Sequence, residues 1–324
     1  MLPVAVDAMG GDKAPGEILA GVRRAVDDGI PVVLVGPPGL DRSAVHGLDL
    51  ELIEASELIG MDEEPGTAVR TKKDSTLVRA AEAVRDGKAS AMISAGNTGA
   101  TMAAALLRMG RIKGVKRPAI ATPIPFPGST PTVLLDAGAN AEVQPEWLVQ
   151  FAQMGTVYAR ERFAIAEPRV GLLSIGEEPG KGDALRKEAY ELLGAATGIN
   201  FIGNVEGRDV MSPNVDVAVT DGFTGNVTLK ALEGGMKAVI GALLEVFADP
   251  ALKEHADALL PALAPLYTTL NPDTYGGAIL LGVDGVCVIS HGSSGATAMR
   301  NAIGVARDMV THEMVDKIRR AVTG

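Results

Sequence analysis

Short apolar runs alternate with segments of helical periodicity along most of this chain. Residues 3–6 and 31–35 are the first two runs, and between them the apolar side chains from Ile18 to Val26 fall on one helical face. Runs of this length suit buried strands, and the segments between them suit helices that cover a sheet. The pattern predicts an α/β fold: a doubly wound, mainly parallel sheet with helices on both faces.

Two stretches depart from this alternation. Residues 118–136 hold two apolar runs separated by a turn rich in Pro, Gly and Ser, which predicts a hairpin. Residues 225–267 keep a helical pattern throughout, which predicts two long helices. Their apolar stripes, through Leu243 and Leu259, fit packing on a core or a partner subunit, and they also fit contact with a membrane surface. We expect a single domain over residues 1–324.

Polar side chains follow several of the predicted strands at the point where each strand ends. In a parallel sheet these ends meet at one edge, and ligands bind along that edge. We therefore expect a shared cleft there. The residues concerned are Asp7, Asn97, Asp136 with Asn140, Lys181, Asp221 with Asn226, and His291.

The clearest of these strand ends is a turn of sequence GNTG. Gly96, Asn97 and Thr98 join an apolar strand to a run of strong helix formers. The first turn of a helix has free N–H groups and glycine lets a ligand approach, so the turn predicts an anion site. An ordinary capped helix explains the same residues. Lys73, which precedes the previous helix together with two further cations, fits either an anion contact or a solvated loop.

The composition narrows the classes of function. The formal net charge is −10, which argues against a nucleic-acid partner because phosphate backbones bind basic surfaces. The single cysteine, Cys287, lies in an apolar run and is expected to be a buried thiol. We find no apolar run long enough to span a membrane and no signal-peptide pattern, so we expect a cytoplasmic protein.

Several common motifs do not occur in the sequence. GGDKAPG, after the first strand, is not a dinucleotide fingerprint, and GEEPGKGD lacks the spacing and the hydroxyl of a P-loop. HExxH, a Cys/His cluster and a GxSxG elbow do not occur either, so we expect neither a metal nor a cofactor. The remaining anion-binding turns, lysine, amides and histidine suit transfer chemistry on a phosphate or acyl phosphate.

Seven motifs, spread over nearly the whole chain, carry a more specific signal. They are VAVDAMGGDKAPGEI, RTKKDST, SAGNTGA, LLDAGAN, GKGDALRKEAYELL, VTDGFTGNV and YGGAILLGVDGVCVISHGSS. In this order they resemble the bacterial phosphate acyltransferases, the PlsX family. The resemblance implies an enzyme that converts fatty acyl-(acyl carrier protein) and inorganic phosphate into acyl phosphate at the start of phospholipid synthesis.

The resemblance carries further implications. It implies a homodimer with a fold like isocitrate and isopropylmalate dehydrogenases, a peripheral contact at the inner face of the membrane, and a glycerol-3-phosphate acyltransferase as a downstream partner. A non-catalytic scaffold that binds carrier protein and membrane is the alternative function.

In such a reaction phosphate attacks the thioester carbonyl directly, and the site stabilises an oxyanion and protonates the leaving sulfur. We assign the phosphate to the turn at Asn97 and Thr98 together with Lys181. The oxyanion is assigned to Asn226 or to backbone N–H groups near Thr224, and the leaving sulfur to His291. The predicted catalytic residues are therefore Lys181, His291 and Asn226, and the predicted substrate-binding residues are Gly96, Asn97, Thr98, Asn140, Thr224 and Lys73. Helix caps and turn contacts are the plainer interpretation of each residue.

A run of cations follows the central predicted helix, with no acidic residue among them. These residues are Arg108, Arg111, Lys113, Lys116 and Arg117. On an acidic protein, such a cluster predicts a docking site for acidic acyl carrier protein, roughly 18 Å from the anion turn at 1.5 Å of helix rise per residue. Cations also favour helix C-termini and solvated loops, which leaves both interpretations open.

Overall fold

A computed structural model describes residues 1–323, in which the strands form one continuous sheet. The strands are β1 Val4–Asp7, β2 Val32–Gly36, β3 Leu52–Glu54, β4 Ala91–Ser94, β5 Ala119–Ile124, β6 Thr132–Leu135, β7 Arg169–Leu173, β8 Asn200–Val205, β9 Val217–Val219, β10 Ala278–Leu281 and β11 Val286–Ile289. Their order across the sheet is β3-β2-β1-β4-β11-β10-β5-β6-β9-β7-β8.

Helices cover both faces of this sheet. They are α1 Gly16–Asp27, α2 Pro65–Thr71, α3 Thr76–Arg85, α4 Thr98–Arg108, α5 Pro145–Phe163, α6 Ala184–Ala195, α7 Gly222–Phe247, α8 Lys253–Leu270, α9 Ala296–Thr311 and α10 Met314–Thr323. Strand side chains alternate between two cores: Val4 and Val6 pack with α1 and α9, whereas Ala5 packs with α3 and α4. The predicted α/β fold, a mostly parallel sheet flanked by helices, is confirmed.

The direction of the strands reverses in the middle of the sheet. The pairs β11/β10, β10/β5 and β5/β6 are antiparallel, whereas β3, β2, β1, β4 and β11 run parallel to one another, as do β6, β9, β7 and β8. Three reversals leave these two groups pointing in opposite directions. The expectation that all the polar strand ends meet at equivalent places of one edge is therefore wrong.

The register of the central strands nevertheless brings two of the opposed strand ends together. Ile289, the last residue of β11, pairs with Ala278. One position further along β10, Ile279 pairs with Ala121, which in turn pairs with Leu135 at the end of β6. The loops after β11 and β6 therefore leave the sheet at nearly the same level. The predicted hairpin of residues 118–136 is confirmed as β5 and β6, and it supplies one of the reversals.

The first turn of α7 lies directly on the loop that follows β6. Gly222 donates its N–H to the carbonyl oxygen of Asn140 at 2.7 Å. A Cβ at Gly222 would lie 2.7 Å from that oxygen, and a Cβ at Gly225 would overlap the carbonyl oxygen of Asp136. Only residues without a side chain fit this backbone-to-backbone contact, which fixes where α7 leaves the sheet.

Beyond its first turns, α7 runs with α8 over the outside of the molecule. Both helices carry exposed apolar side chains: Val239, Leu243, Leu244, Val246, Leu259, Leu260, Leu266 and Tyr267. Among the helices of residues 1–323, none combines the length and apolar character that crossing a membrane requires.

Gly225→Ala is expected to lower the free energy of unfolding by about 1–3 kcal/mol or more, because overpacking forces backbone shifts. Gly304→Ala in α9 is the matched control: apart from its chain neighbours and the nearby backbone of α9 itself, no atom lies within 4 Å of the Cβ position there. That control should be neutral or stabilising by about 0.5–1 kcal/mol. Urea unfolding of the two variants measures the difference, and equal midpoints would contradict the close contact.

Candidate active site

A cavity of about 550 Å³ opens where α4, α7 and the loop after β11 meet. At its polar end the lining includes Thr98 from the start of α4, Asn226 from α7, and Ser290, His291 and Ser293 from the loop after β11. These elements come together because the register of the central strands places the ends of β11 and β6 at nearly the same level. Thr98, Asn226 and His291 were all predicted site residues, and the structure places them in one cavity.

His291 is exposed at this cavity, and the neighbouring loop holds its ring. Its Nδ1 lies 2.8 Å from the hydroxyl oxygen of Ser293 and 3.3 Å from the backbone nitrogen of the same residue. Because a backbone N–H can only donate, Nδ1 acts as an acceptor, and the neutral ring carries its proton on Nε2. His291 can therefore donate a hydrogen bond through Nε2.

Ser290 is a candidate that the sequence analysis missed. Its side chain is 3% exposed, it lines the cavity, and among residues 1–323 its hydroxyl oxygen has no hydrogen-bond partner. A buried polar group without a partner costs free energy, so a substrate oxygen in the cavity would satisfy it. The only sequence signal was its place beside His291 at the end of an apolar strand.

Asn97 uses its whole side chain to hold the protein together. Its Oδ1 caps α4 by accepting the N–H of Ala100 at 3.0 Å. Its Nδ2 lies within 3.1–3.3 Å of the carbonyl oxygens of Gly60, Met61 and Glu63. The side chain therefore favours the structural interpretation over the predicted phosphate contact. Helix geometry still leaves the first backbone N–H groups of α4, including that of Thr98, without an intrahelical acceptor.

Gly96 and Asp7 also have structural partners. The N–H of Gly96 donates to Ser94 Oγ at 2.9 Å, and that hydroxyl donates to Asp7 Oδ2 at 2.7 Å. Burial raises the pKa of the Asp7 carboxyl against the opposing effect of these hydrogen bonds. These hydrogen bonds join the ends of β1 and β4 beneath the start of α4. Because the N–H of Gly96 is already used, the substrate contact predicted for Gly96 would have to involve other atoms of the turn.

Asn140 is likewise held by its own chain. Its Nδ2 donates to the carbonyl oxygen of Pro118 at 2.8 Å and to Asp136 Oδ2 at 2.9 Å. Asp136 also accepts N–H groups from Ile120, Gly138, Ala139 and Asn140. Burial raises the pKa of Asp136 in spite of these donors. The Asn140 side chain therefore shapes the loop on which α7 lies, and its substrate contact stays a prediction.

Arg186 is a second residue that the sequence analysis missed. It holds the start of α7 by hydrogen bonds, on the side away from the loop after β6. Its guanidinium donates to Asp221, to Thr220 Oγ1 at 3.2 Å and to Thr224 Oγ1 at 3.0 Å. Burial raises the pKa of Asp221, but the hydrogen bonds from Thr224 and the charge of Arg186 outweigh it and hold that pKa below its usual value. Thr224 thus belongs to this network and does not line the cavity.

The structure does not bring the two predicted lysines to the cavity. Lys181 is exposed on the loop between β7 and α6, in the half of the sheet whose strands run the opposite way. Lys73 is exposed in the turn between α2 and α3. Neither lines the cavity, so their substrate contacts stay predictions.

Four of the five predicted docking cations form an exposed basic surface, namely Arg111, Lys113, Lys116 and Arg117. Arg108 instead lies half-buried, 3.6 Å from Glu82. The guanidinium of Arg117 lies over the Trp147 ring, 5.0 Å from its centroid, and both line a shallow basin of about 690 Å³. The basic surface therefore combines positive charge with an aromatic ring.

Nothing in residues 1–323 gathers three or more His, Cys, Asp or Glu side chains in an arrangement that could hold a metal ion. The polar end of the cavity is lined by amide, hydroxyl and imidazole groups.

Comparison with known proteins matches this chain over nearly its whole length. The model of a family described as fatty acid synthesis protein matches residues 2–317. The phosphate acyltransferase of Pelotomaculum thermopropionicum is 48% identical over 328 residues, which cover 99% of this chain and 95% of that protein. The phosphate acyltransferase of Elusimicrobium minutum is 47% identical over 329 residues, with 98% and 95% covered.

Solved structures show the same fold at lower identity. A phosphotransacetylase from Streptococcus pyogenes superposes with a TM-score of 0.64 at 18% identity, covering 96% of this chain and 94% of that one. A putative 4-hydroxythreonine-4-phosphate dehydrogenase from Salmonella typhimurium gives a TM-score of 0.56 at 13% identity, with 95% and 99% covered.

Proposed function

The chain belongs to the phosphate acyltransferase family and transfers an acyl group to phosphate, and from this premise we propose that acyl carrier protein supplies the acyl group. We place the transfer in the cavity between α4, α7 and the loop after β11. One observation carries this placement: a buried hydroxyl without a partner, an imidazole that can donate a hydrogen bond and an amide line the same cavity. The family membership favours an enzyme over the alternative of a non-catalytic scaffold.

The proposed reaction is a direct attack. An oxygen of hydrogen phosphate forms a bond to the thioester carbonyl carbon, and the carbon–sulfur bond breaks with its electron pair leaving on sulfur. The proton that phosphate loses balances the proton that the thiolate gains. His291 Nε2–H donates a hydrogen bond to the sulfur as negative charge develops there, and the proton that leaves hydrogen phosphate ends on the thiolate.

The remaining groups position the reactants. The first N–H groups of α4 and the Ser290 hydroxyl hold phosphate oxygens, because Thr98 and Ser290 line the cavity and the N-terminus of a helix favours an anion. The amide of Asn226 donates to the oxyanion that forms on the thioester. Ser290 acts as a donor rather than as a nucleophile, since its hydroxyl is not hydrogen-bonded to a base that could take its proton.

The carrier protein docks on the basic surface of Arg111, Lys113, Lys116 and Arg117. This surface follows α4, whose eleven residues span about 16 Å at 1.5 Å per residue. A flexible prosthetic arm of similar length would carry the thioester from the basic surface to the start of α4, where Thr98 lines the cavity. Charge complementarity with an acidic partner supports this assignment.

The wider setting is also a proposal. The protein acts in the cytoplasm as a homodimer of the isocitrate and isopropylmalate dehydrogenase fold type, touches the inner face of the membrane, and passes acyl phosphate to a glycerol-3-phosphate acyltransferase for phospholipid synthesis. The exposed apolar side chains of α7 and α8 support both the dimer and the membrane contact, since patches of this kind mark such surfaces.

His291→Ala is expected to lower kcat for acyl transfer by about 100-fold or more, the usual cost of removing one donor that stabilises charge developing in the transition state. Ser290→Ala should raise the KM for phosphate more than it lowers kcat. Lys181→Ala is the comparison variant. Because Lys181 does not line the cavity, its kcat and KM should change by less than about threefold, whereas loss of a preorganised donor to the transition state costs about 3 kcal/mol. Steady-state kinetics of thiol release measures all three variants. A larger loss of kcat in Lys181→Ala than in His291→Ala would contradict the cavity and place the active site beside Lys181, in the other half of the sheet.

Lys113→Glu combined with Lys116→Glu should weaken the use of acyl carrier protein, and the loss should be larger at low salt because screening weakens surface electrostatics. Small acyl thioesters without a carrier protein should react as before. The control pair, Lys88→Glu with Lys187→Glu, makes the same charge change at other exposed positions. If the control pair and the test pair lose carrier-protein activity equally, net charge and not the basic surface is responsible.

Leu259→Glu combined with Leu263→Glu tests the outer face of α8. The expected result is loss of binding to phosphatidylglycerol vesicles while the dimer remains, as measured by cosedimentation and light scattering. Ile175→Glu is the control because that side chain is 81% exposed on another loop. A shift from dimer to monomer would instead assign the stripe to the subunit interface, and unchanged binding and mass would remove both roles.

A further inference from the structure

The cavity does not end at its polar residues but continues as a groove along α7. Beyond Asn226, its wall is formed by Leu229, Met236, Ile240 and Leu244. These positions are spaced by seven, four and four residues, so they lie along one face of the helix. The opposite wall comes from Tyr267 and Leu270 near the end of α8 and from the segment that follows it.

The α7 wall of the groove is mostly apolar, and Lys230, Glu233 and Lys237 also line it. Met236 and Ile240 are half-buried against it, whereas Lys230 and Lys237 are exposed. Lys230 pairs with Glu233 at 2.8 Å across one turn of α7. Long lysine side chains can lay their methylene groups along an apolar surface while the ammonium stays in water. An apolar surface left open to water costs about 25 cal/mol per Å², which favours an apolar occupant.

Resting on the acyl-transfer function proposed for the polar end, we propose that this groove holds the fatty acyl chain and that Met236 and Ile240 set the chain length the enzyme accepts. The occupant follows from continuity. The thioester carbon must lie beside His291 and Asn226, and the apolar positions of α7 lead away from that point along the wall of the same groove, beside the Lys230–Glu233 pair.

The length of the groove agrees with this occupant. The hydrocarbon core of a bilayer is about 30 Å thick and two chains deep, so one long chain spans roughly 15 Å. At about 1.5 Å of rise per residue, a chain that begins beside Asn226 ends near Met236. A chain half as long ends near Lys230, well before the half-buried methionine. Met236 therefore lies beside the end of a long acyl chain, whereas a short acyl chain ends before it reaches Met236.

The test compares palmitoyl and octanoyl thioesters of the same acyl carrier protein, so that docking is identical for both. Met236→Trp should lower kcat/KM for the palmitoyl substrate by about 10-fold or more, within the range by which apolar pockets discriminate chain lengths. Turnover of the octanoyl substrate should stay within about twofold of wild type. Leu243→Trp is the matched control, because this side chain is also on α7 but is exposed and outside the groove.

A second readout does not depend on turnover. The chain has one tryptophan, Trp147, which lies in the basin of the basic surface. A palmitoyl thioester brominated near its methyl end should quench the indole introduced by Met236→Trp and leave the indole of Leu243→Trp and the wild-type emission unchanged.

The outcomes separate the two proposals. If wild type turns over neither thioester in the presence of phosphate, the proposed function itself fails. If wild type is active and Met236→Trp treats both chain lengths alike without quenching, the groove does not hold the chain. A change from dimer to monomer in Met236→Trp, seen by light scattering, would show that a second copy occupies the groove and would equally overturn the inference.

Discussion

The geometry of the site depends on the contact between the first turn of α7 and the loop after β6. Gly222 and Gly225 let two backbones approach closely, and the carboxylate of Asp136 holds the loop in shape by accepting several N–H groups. The side chain of Asp221 caps the helix from its other side and is itself held by Arg186. Because the start of α7 is fixed in this way, Asn226 faces the cavity and every later position on the same helix face follows the groove.

The opposed directions of the two halves of the sheet explain why this helix is needed. In a sheet whose strands all run one way, the loops at one edge could build a site alone. Here the loop after β11 carries Ser290 and His291, while the loop after β6 belongs to strands that run the other way. The register places both loops at nearly the same level, and α7 extends from one half of the sheet to the residues of the other. The cavity is thus lined by segments from both groups of strands, which run in opposite directions.

The sequence predicted the layered fold, the hairpin and the buried Cys287 because each depends on local apolar patterns, which a single sequence displays directly. It also named Thr98, Asn226 and His291. It could not place Lys181, because a strand end is visible in sequence whereas strand direction depends on which strands pair. Ser290 and Arg186 were missed for a related reason: a hydroxyl without a partner and a guanidinium beneath a helix end look like ordinary polar residues until their neighbours are known. Asn97 and Asn140 show the reverse case, since amides that suit anion binding also suit caps.

The side chains at the cavity favour catalysis by positioning rather than through an enzyme-bound intermediate. Burial raises the pKa of the Cys287 thiol to about 12, so this side chain stays protonated within its core and is not a nucleophile at neutral pH. What the cavity offers is donors at its polar end and an apolar face beyond it. In direct transfer between two bound substrates, the rate depends on how well both are held, and binding far from the reacting atoms can contribute to that alignment. The apolar positions of α7 that begin one turn from Asn226 would supply such remote binding for an acyl chain, which gives a physical reason for the length of α7.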